Sequence, residues 1–318
     1  MNLLYNSIFL NHDTGAHPEN RKRLAQFNDL PEAPLVDGRP FLELVHSANY
    51  IRLVKEAAQH SLSLDGDTLT SVGSFEAAYN GVGLTIAAAE TNDFALVRPP
   101  GHHAYPTRGS GFCLFNNVAI ATQKLVNEGK RVAIFDFDGH LGDGTEAIFY
   151  NTDNVLFWST HQYPAFPGNG FVDEIGEGKG KGFTINVPLP PGSGDDVFFH
   201  AVDIFLPVLE QFQPDVVAIS AGFDAHQLDP LLQLKFSTQA FYKIGWLLSE
   251  RFPRVFATLE GGYHLEALKK SIYNFQAGIN HAPVPFEESS TTSHRSVWET
   301  YEVYLQAVLG KLSAYWKF

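Results

Sequence analysis

The chain has 318 residues, enough for one large domain or two small ones at roughly 150 residues each. Apolar residues make up 44% and charged residues 18%, which excludes disordered, collagen-like and coiled-coil classes. The net charge of −13, from 22 Lys and Arg against 35 Asp and Glu, argues against a surface that tracks nucleic-acid phosphates and leaves a basic partner open.

The start, MNLLYNSIFLNHDTG, lacks a basic leader and is broken by Asn, His and Asp, and no later run approaches about 18 uninterrupted apolar residues. It predicts a soluble, cytoplasmic protein without membrane contact. In chain order, apolar residues at three- and four-residue steps predict helices over Phe41–Gln59 and Phe75–Glu90, before a short strand at Phe94–Val97. A helix over Asn116–Asn127 leads to strands at Val132–Phe135, Val155–Trp158 and Phe183–Val187. Helix Val197–Gln211, strand Val216–Ile219, helix Thr238–Arg251, strand Val255–Leu259 and helix Leu265–Asn280 follow, with Asp195 and Ser237 as N-caps. The stretch 282–295 is predicted to be mobile and 296–316 to be a terminal helix packed on the body. Gly/Pro-rich stretches at 99–111, 164–182 and 188–194 are too short and too interleaved with strands to be linkers. The chain 1–318 is therefore read as a single α/β domain with a mostly parallel sheet covered on both faces.

Ligands of such sheets sit beyond the carboxyl ends of strands. Four strands here are followed by chemically loaded segments: PPGHH at 99–103, DFDGHLGDGT at 136–145, SAGFDAH at 220–226 and EGGYH at 260–264. The lone Cys113 argues against a disulfide framework or a thiolate zinc site, so a metal here draws on imidazole and carboxylate. Asp138 and His140, two apart in extended chain, project to one side and can share a cation, with Asp224 arriving from another strand. Two carboxylates and one imidazole leave positions for water and substrate, as catalytic zinc sites do. Spacing alone equally allows Asp136 and Asp138 to cap a turn and His140 to be an ordinary loop histidine. His102 and His103 read either as loop residues or as a general base and a charged partner, each backed by an acid such as Asp136 or Asp143. Tyr263, on a Gly-Gly hinge, is either a buried tyrosine or a donor to a developing oxyanion.

These segments, with GFCLFNNVAIA and an early HDTGAHPENRKRL, make the chain from about residue 5 to 280 resemble the zinc-dependent histone deacetylase superfamily, closest to its class II and bacterial members. The resemblance implies the arginase–deacetylase fold, a central sheet of about eight strands, and hydrolysis of an N-acetyl amide, usually on lysine, in a tunnel at the carboxyl edge. It implies zinc on Asp138, His140 and Asp224, His102 and His103 as the catalytic pair backed by Asp136 and Asp143, and Tyr263 polarising the acetyl carbonyl. Asp136, Asp138, His140, Ser159 and Thr160 match an inner monovalent-cation site for K+ or Na+; Phe149, Thr152 and Val155 match a second one more weakly. Phe112 and Phe166 match the aromatic pair that sandwiches a neutral acyl-lysine stem, with Gly111 and Gly262 beside them on the substrate-binding surface. Leu231 falls where polyamine-selective relatives carry a glutamate, so an acylated lysine in a protein or peptide is the implied substrate ahead of a small acylated amine. Phe112, Phe166 and Leu231 also read as ordinary core residues.

Two positions depart from the family pattern. Leu141 stands where a second histidine is usual, and Gly139 replaces a small or branched apolar residue. Loss of that histidine predicts a looser hold on His140, worth about 10–100-fold in affinity or activity. Three other readings remain at this stage. A binuclear manganese ureohydrolase shares the fold but needs bridging carboxylates where Gly142 and His226 stand, and metal counting separates it. A dehalogenase-type phosphatase would use Asp136 as nucleophile and Asp138 as acid, leaving the other motifs without a role. A silent acyl-lysine binder, prompted by Leu141, would be indifferent to Tyr263→Phe.

Overall fold

The computed structural model describes residues 1–318. Its seven strands are β1 Leu3–Tyr5, β2 Phe94–Leu96, β3 Val132–Asp136, β4 Val155–Gln162, β5 Thr184–Leu189, β6 Val216–Ala221 and β7 Val255–Leu259. They form one parallel sheet in the order β1-β2-β7-β6-β3-β4-β5. The resemblance implied about eight strands; seven are formed, the sheet is parallel throughout, and helices cover both faces. Strand β1, three residues without a readable pattern, was not expected, and pairs with β2 in the register Leu3↔Phe94.

Every residue of β2 to β7 is buried, which is why these strands are continuous apolar runs without alternating polarity. The pleat nevertheless divides them. In β3, Ala133 and Phe135 join a core of 53 buried residues on one face, whereas Val132 and Ile134 join one of 23 on the other. On the larger face Phe135 stacks on Trp158 with centroids 3.9 Å apart. Each such aromatic contributes about 1.5–3 kcal/mol through its burial.

The helices are α1 Lys22–Ala25, α2 Ala48–His60, α3 Ser74–Thr91, α4 Asn117–Asn127, α5 Asp143–Phe149, α6 Asp195–Phe212, α7 Thr238–Arg251, α8 Leu265–Ile279 and α9 Arg295–Leu312. The expected helix 41–59 is split into a 3-10 turn, Arg39–Leu44, and α2. Ser47 takes an extended conformation between them and its hydroxyl accepts from Tyr50 N at 3.2 Å, starting a new helix. The two expected caps at Asp195 and Ser237 are also corrected. Asp195 is already inside α6, and its carboxylate accepts from Ser237 N and Ser237 Oγ at 2.8 and 2.5 Å, so Ser237 occupies the cap position without capping. The connection expected over 282–295 contains no helix or strand up to residue 294, and Arg295 already opens α9. Glu288 accepts from Thr238 N at 2.7 Å and Ser293 donates to Asp196 at 2.6 Å, tying it to α7 and α6. No helix is long and apolar enough to cross a membrane.

This topology sets the location of the site. From β3 the order runs outward through β4 and β5, and on its other side through β6 and β7. The direction in which successive strands are added therefore reverses between β3 and β6, while the strands stay parallel, and the diverging crossovers leave a crevice beyond their carboxyl ends. Asp138 follows β3 and Asp224 follows β6.

Candidate active site

Asp138, His140 and Asp224 converge in that crevice, each offering a donor atom within 4.8 Å of the other two. His140 Nδ1 lies 2.8 Å from Asp224 Oδ2 and 3.3 Å from Asp138 Oδ1. Backbone donors fix both acids: Asp224 Oδ1 accepts from Gly139 N at 2.7 Å, and Asp138 Oδ2 from Gly261 N at 2.8 Å. Against the cost of burial, Asp224 and Asp138 push the His140 imidazole up to about 10. A proton and a divalent cation thus compete for one point. Close glycines keep that point accessible. A Cβ on Gly222 would fall 1.9 Å from Asp138 Oδ2, and one on Gly261 2.5 Å from Asp224 Oδ2. Buried carboxylates need a compensating charge, and this donor set with its glycine cradle fits a zinc-like ion with open positions.

The histidine pair stands beside it. His102 Nδ1 faces Asp136 Oδ2 at 3.1 Å, His103 Nδ1 faces Asp143 Oδ1 at 2.6 Å, and the two rings are 4.0 Å apart. Each imidazole is thereby oriented by its own acid, and Tyr105 Oη donates to the second oxygen of Asp143 at 2.8 Å. Burial, then the neighbouring His102, lowers His103 to about 4, leaving it neutral. Burial opposes charge on His102 too, but Asp138, Asp136 and Glu260 outweigh it and hold His102 well above its ordinary value. Two adjacent histidines therefore take opposite states. Tyr263 is raised well above an ordinary phenol by burial, so its hydroxyl stays protonated as a donor.

His103, His140 and Tyr263 form the base of a cavity of about 450 Å³ whose wall includes Gly111, Phe112, Phe166 and Leu231. Gly111 has φ +52°, and a Cβ there would lie 2.4 Å from His103 Cδ2 and 3.0 Å from Phe166 Cε1. Only glycine lets the Phe166 ring and the His103 imidazole meet at this point. Phe112, itself at φ +71°, stands edge-on to Tyr263 at 5.7 Å, and Phe166 stands edge-on to His103 at 5.1 Å. Gly262 is not part of the wall: at φ +118° it turns the chain, and its carbonyl accepts from Arg23 Nε at 2.7 Å. Ser159 pairs with Asp136 across β3 and β4, and the neighbouring Thr160 Oγ1 is buried without a partner.

Leu141 is fully buried and packs toward Gly170 and His161, whose ring nitrogens are satisfied by Ser159 Oγ and Gly170 O at 2.9 Å each. His140 is held by Asp138 and Asp224 without help from position 141. At Gly139 the missing side chain is replaced from another loop: a Cβ there would lie 2.3 Å from Leu232 Cδ1. Gly142 has no room for a bridging carboxylate, since its Cβ would lie 2.2 Å from Asp136 Oδ2. His226 instead pairs with Glu288 at 3.1 Å.

Several supporting residues escaped the sequence reading. Asp229 accepts from Tyr263 N at 2.7 Å and from Leu231 N at 3.1 Å, tying oxyanion donor to wall. Glu260 Oε2 accepts from Gly101 N and His102 N at 2.7 and 3.0 Å. Arg23, bound to the carbonyls of Glu260 and Gly262, has its guanidinium 5.0 Å over the Tyr263 ring and is neutralised by buried Glu19. Asp65 and Asp67 also face the cavity. The DGD spacing at 65–67 was the one local signal available for these two.

A parallel α/β sheet carries this constellation, two carboxylate-backed histidines beside a three-donor cluster, at its switch point. A histone deacetylase domain profile matches residues 17–279, and the chain belongs to the histone deacetylase family. A probable deacetylase of Archaeoglobus fulgidus is 39% identical over 292 residues, covering 83% of this chain and 81% of that one. The histone deacetylase-like amidohydrolase of Pseudomonas aeruginosa is 37% identical, covering 77% of this chain and 71% of its own. The acetylpolyamine amidohydrolase of Burkholderia pseudomallei is 39% identical, covering 74% and 71%. The crystal structure of the HDA15 HD domain superposes with a TM-score of 0.87 at 30% identity over 98% of both chains. The chain is thus an enzyme of the deacetylase and amidohydrolase class, which removes the phosphatase and ureohydrolase readings.

Proposed function

We propose that this enzyme hydrolyses the acetyl or short acyl amide of a lysine side chain, with zinc held by Asp138, His140 and Asp224, and releases acetate and a free amine. The observation that carries the reading is the pair His102–Asp136 and His103–Asp143, 4.0 Å ring to ring, beside that three-donor cluster. Zinc, when bound, supplies Lewis-acid polarisation of the amide carbonyl and acidifies water. His103, neutral and oriented through Nδ1 by Asp143, takes the proton of the attacking water at Nε2. The Tyr263 hydroxyl donates to the oxyanion as it develops, and Arg23 and Asp229 keep its backbone in place. Against the cost of burial, Asp136 and Glu260 beside His102 favour its charged form, and that charge would favour the oxyanion. The proton on His103 then passes to the departing nitrogen. Phe112 and Phe166 flank the acyl-lysine stem, and the apolar Leu231 offers no counter-charge to an internal ammonium. K+ or Na+ near Asp136, Ser159 and Thr160 completes the proposed set of ions.

Asp65 and Asp67 favour a second reading, hydrolysis of an acetylated polyamine, because two carboxylates facing the cavity could receive its ammonium groups. Acetate release by zinc-loaded protein from acetyl-lysine peptides and from acetylpolyamines decides between them. A kcat/KM advantage for the peptide is expected. The opposite preference would favour the second reading, and no release from either would reject hydrolysis of both.

A further inference from the structure

His102, Cys113 and Glu260 form a second buried group of metal-ligating side chains, again with donor atoms within 4.8 Å of one another. One cysteine in the sequence had set thiolate metal chemistry aside. The fold supplies what spacing could not, joining three segments up to 158 residues apart. We infer that this group is a second, inhibitory site for a thiophilic divalent cation such as Zn2+ or Cd2+, which silences the enzyme by capturing the His102 imidazole.

Each donor is arranged for this. The Oε2 atom of Glu260 is occupied by the Gly101 and His102 amides, whereas its Oε1 is buried with no hydrogen-bond partner. A buried acceptor that no protein donor reaches is one that a cation can satisfy. His102 presents Nδ1 to Asp136, and its Nε2, 3.9 Å from Asp138 Oδ1 and not hydrogen-bonded to it, is the nitrogen left for a ligand, in the carboxylate-behind-imidazole arrangement that metal ligands use. Cys113 is fully buried, and its thiol meets only the Gly111 carbonyl at 3.3 Å. Tetrahedral Zn–S and Zn–N bonds of about 2.3 and 2.0 Å place donors roughly 3.5 Å apart, so the group closes with movements of about 1 Å.

The charges balance as well. A divalent ion would meet one thiolate and one carboxylate, displacing a proton from Cys113 Sγ and one from His102 Nε2 to solvent. The mixed sulfur, nitrogen and oxygen set excludes Mg2+ and Ca2+ and leaves a fourth position for water. Entry runs past Gly111 and Phe112, which line the cavity and precede Cys113 directly. The inhibitory half of the inference rests on the proposed electrostatic role of His102 beside the base His103; the binding half does not.

The test is to add Co2+ to protein already holding one equivalent of zinc, following bound metal by equilibrium dialysis and elemental analysis, absorbance, and acetate release. The protein has one cysteine and the Asp138, His140 and Asp224 cluster has no sulfur, so a thiolate-to-cobalt charge-transfer band reports on Cys113 alone. A second equivalent with that band is expected in the wild type, with acetate release reduced about 100-fold at saturation, the scale of losing one electrostatic stabiliser of the oxyanion. The Cys113→Ser variant should bind one equivalent fewer, lack the band and keep its acetate release under added metal. A single equivalent, or a second one without the sulfur band, overturns the site, and the wild-type band decides this even if the variant fails to fold. Undiminished release with the band present overturns the inhibition. Absence of release from every substrate before cobalt is added counts against the proposed function and leaves stoichiometry and band to judge the site.

Discussion

The base and the wall of the cavity are built in opposite ways. At the base, each charged group is fixed by more than one bond: Asp138 and Asp224 each hold a backbone amide as well as His140, and the two histidines each have a private acid. At the wall, Phe166 is 50% exposed, and the contacts of Phe112 and Phe166 with the base are edge-on aromatic ones. Polar networks in a dry site fix geometry sharply, whereas an exposed aromatic can be exchanged at small cost. In the proposed function the chemistry belongs to the rigid half and the choice of substrate to the replaceable half.

That contrast is sharpened most by damage to the base. His103→Ala should lower kcat by about 100-fold or more and leave bound zinc at one equivalent, as elemental analysis and steady-state kinetics can show. Retention of normal kcat would remove His103 from proton transfer. Next comes Gly139→Val, whose new side chain collides with Leu232 and crowds Asp224. It should weaken zinc binding about 10–100-fold in a chelator competition, and Leu232→Ala in the same chain should recover part of the loss. Additive losses in the double variant would show that the two positions do not share one space.

The wall should respond more mildly and in a different parameter. Leu231→Glu is expected to shift kcat/KM toward acetylpolyamines by about tenfold, mostly through KM, while zinc content stays the same. A collapse of kcat on every substrate would mean that base and wall are not separable. The smallest effect concerns stability. Burial raises Glu146, on the same helix as Asp143, to about 8, with Asn186 Nδ2 donating to it at 2.9 Å. A carboxyl raised by folding stabilises the fold fully below its unfolded value near about 4.3 and loses that contribution as pH climbs through about 8. Unfolding free energy should therefore fall across this window, by at most about 1.4 kcal/mol per pH unit, and Glu146→Gln should flatten the slope. An unchanged slope in denaturant titrations would contradict the assignment.

The base was also the half that could be read from sequence. Strand-terminal motifs placed Asp138, His140, Asp224, both histidines and Tyr263 together, because strand ends and the parallel sheet follow from short apolar runs. Asp136 and Asp143 were correctly paired with their imidazoles. The supports were invisible because each acts across a long gap in the chain: Arg23 reaches Gly262 over 239 positions, and Asp229 reaches Tyr263 over 34. Gly139 looked like a loss in sequence, and its compensation by Leu232 exists only in three dimensions. For Leu141, too, the sequence did not reveal that the contacts on His140 come from Asp138 and Asp224. Gly262, placed on the substrate-binding surface by the resemblance, is absent from the cavity lining, and its carbonyl is bound by Arg23.

The most direct measurement is acetate release from an acetyl-lysine peptide by zinc-loaded wild type and Tyr263→Phe, with bound zinc counted in both. Release by the wild type, lost by about 100-fold or more in the variant at equal zinc content, is the predicted result. Equal release by the two proteins, or none by the zinc-loaded wild type, would contradict the account.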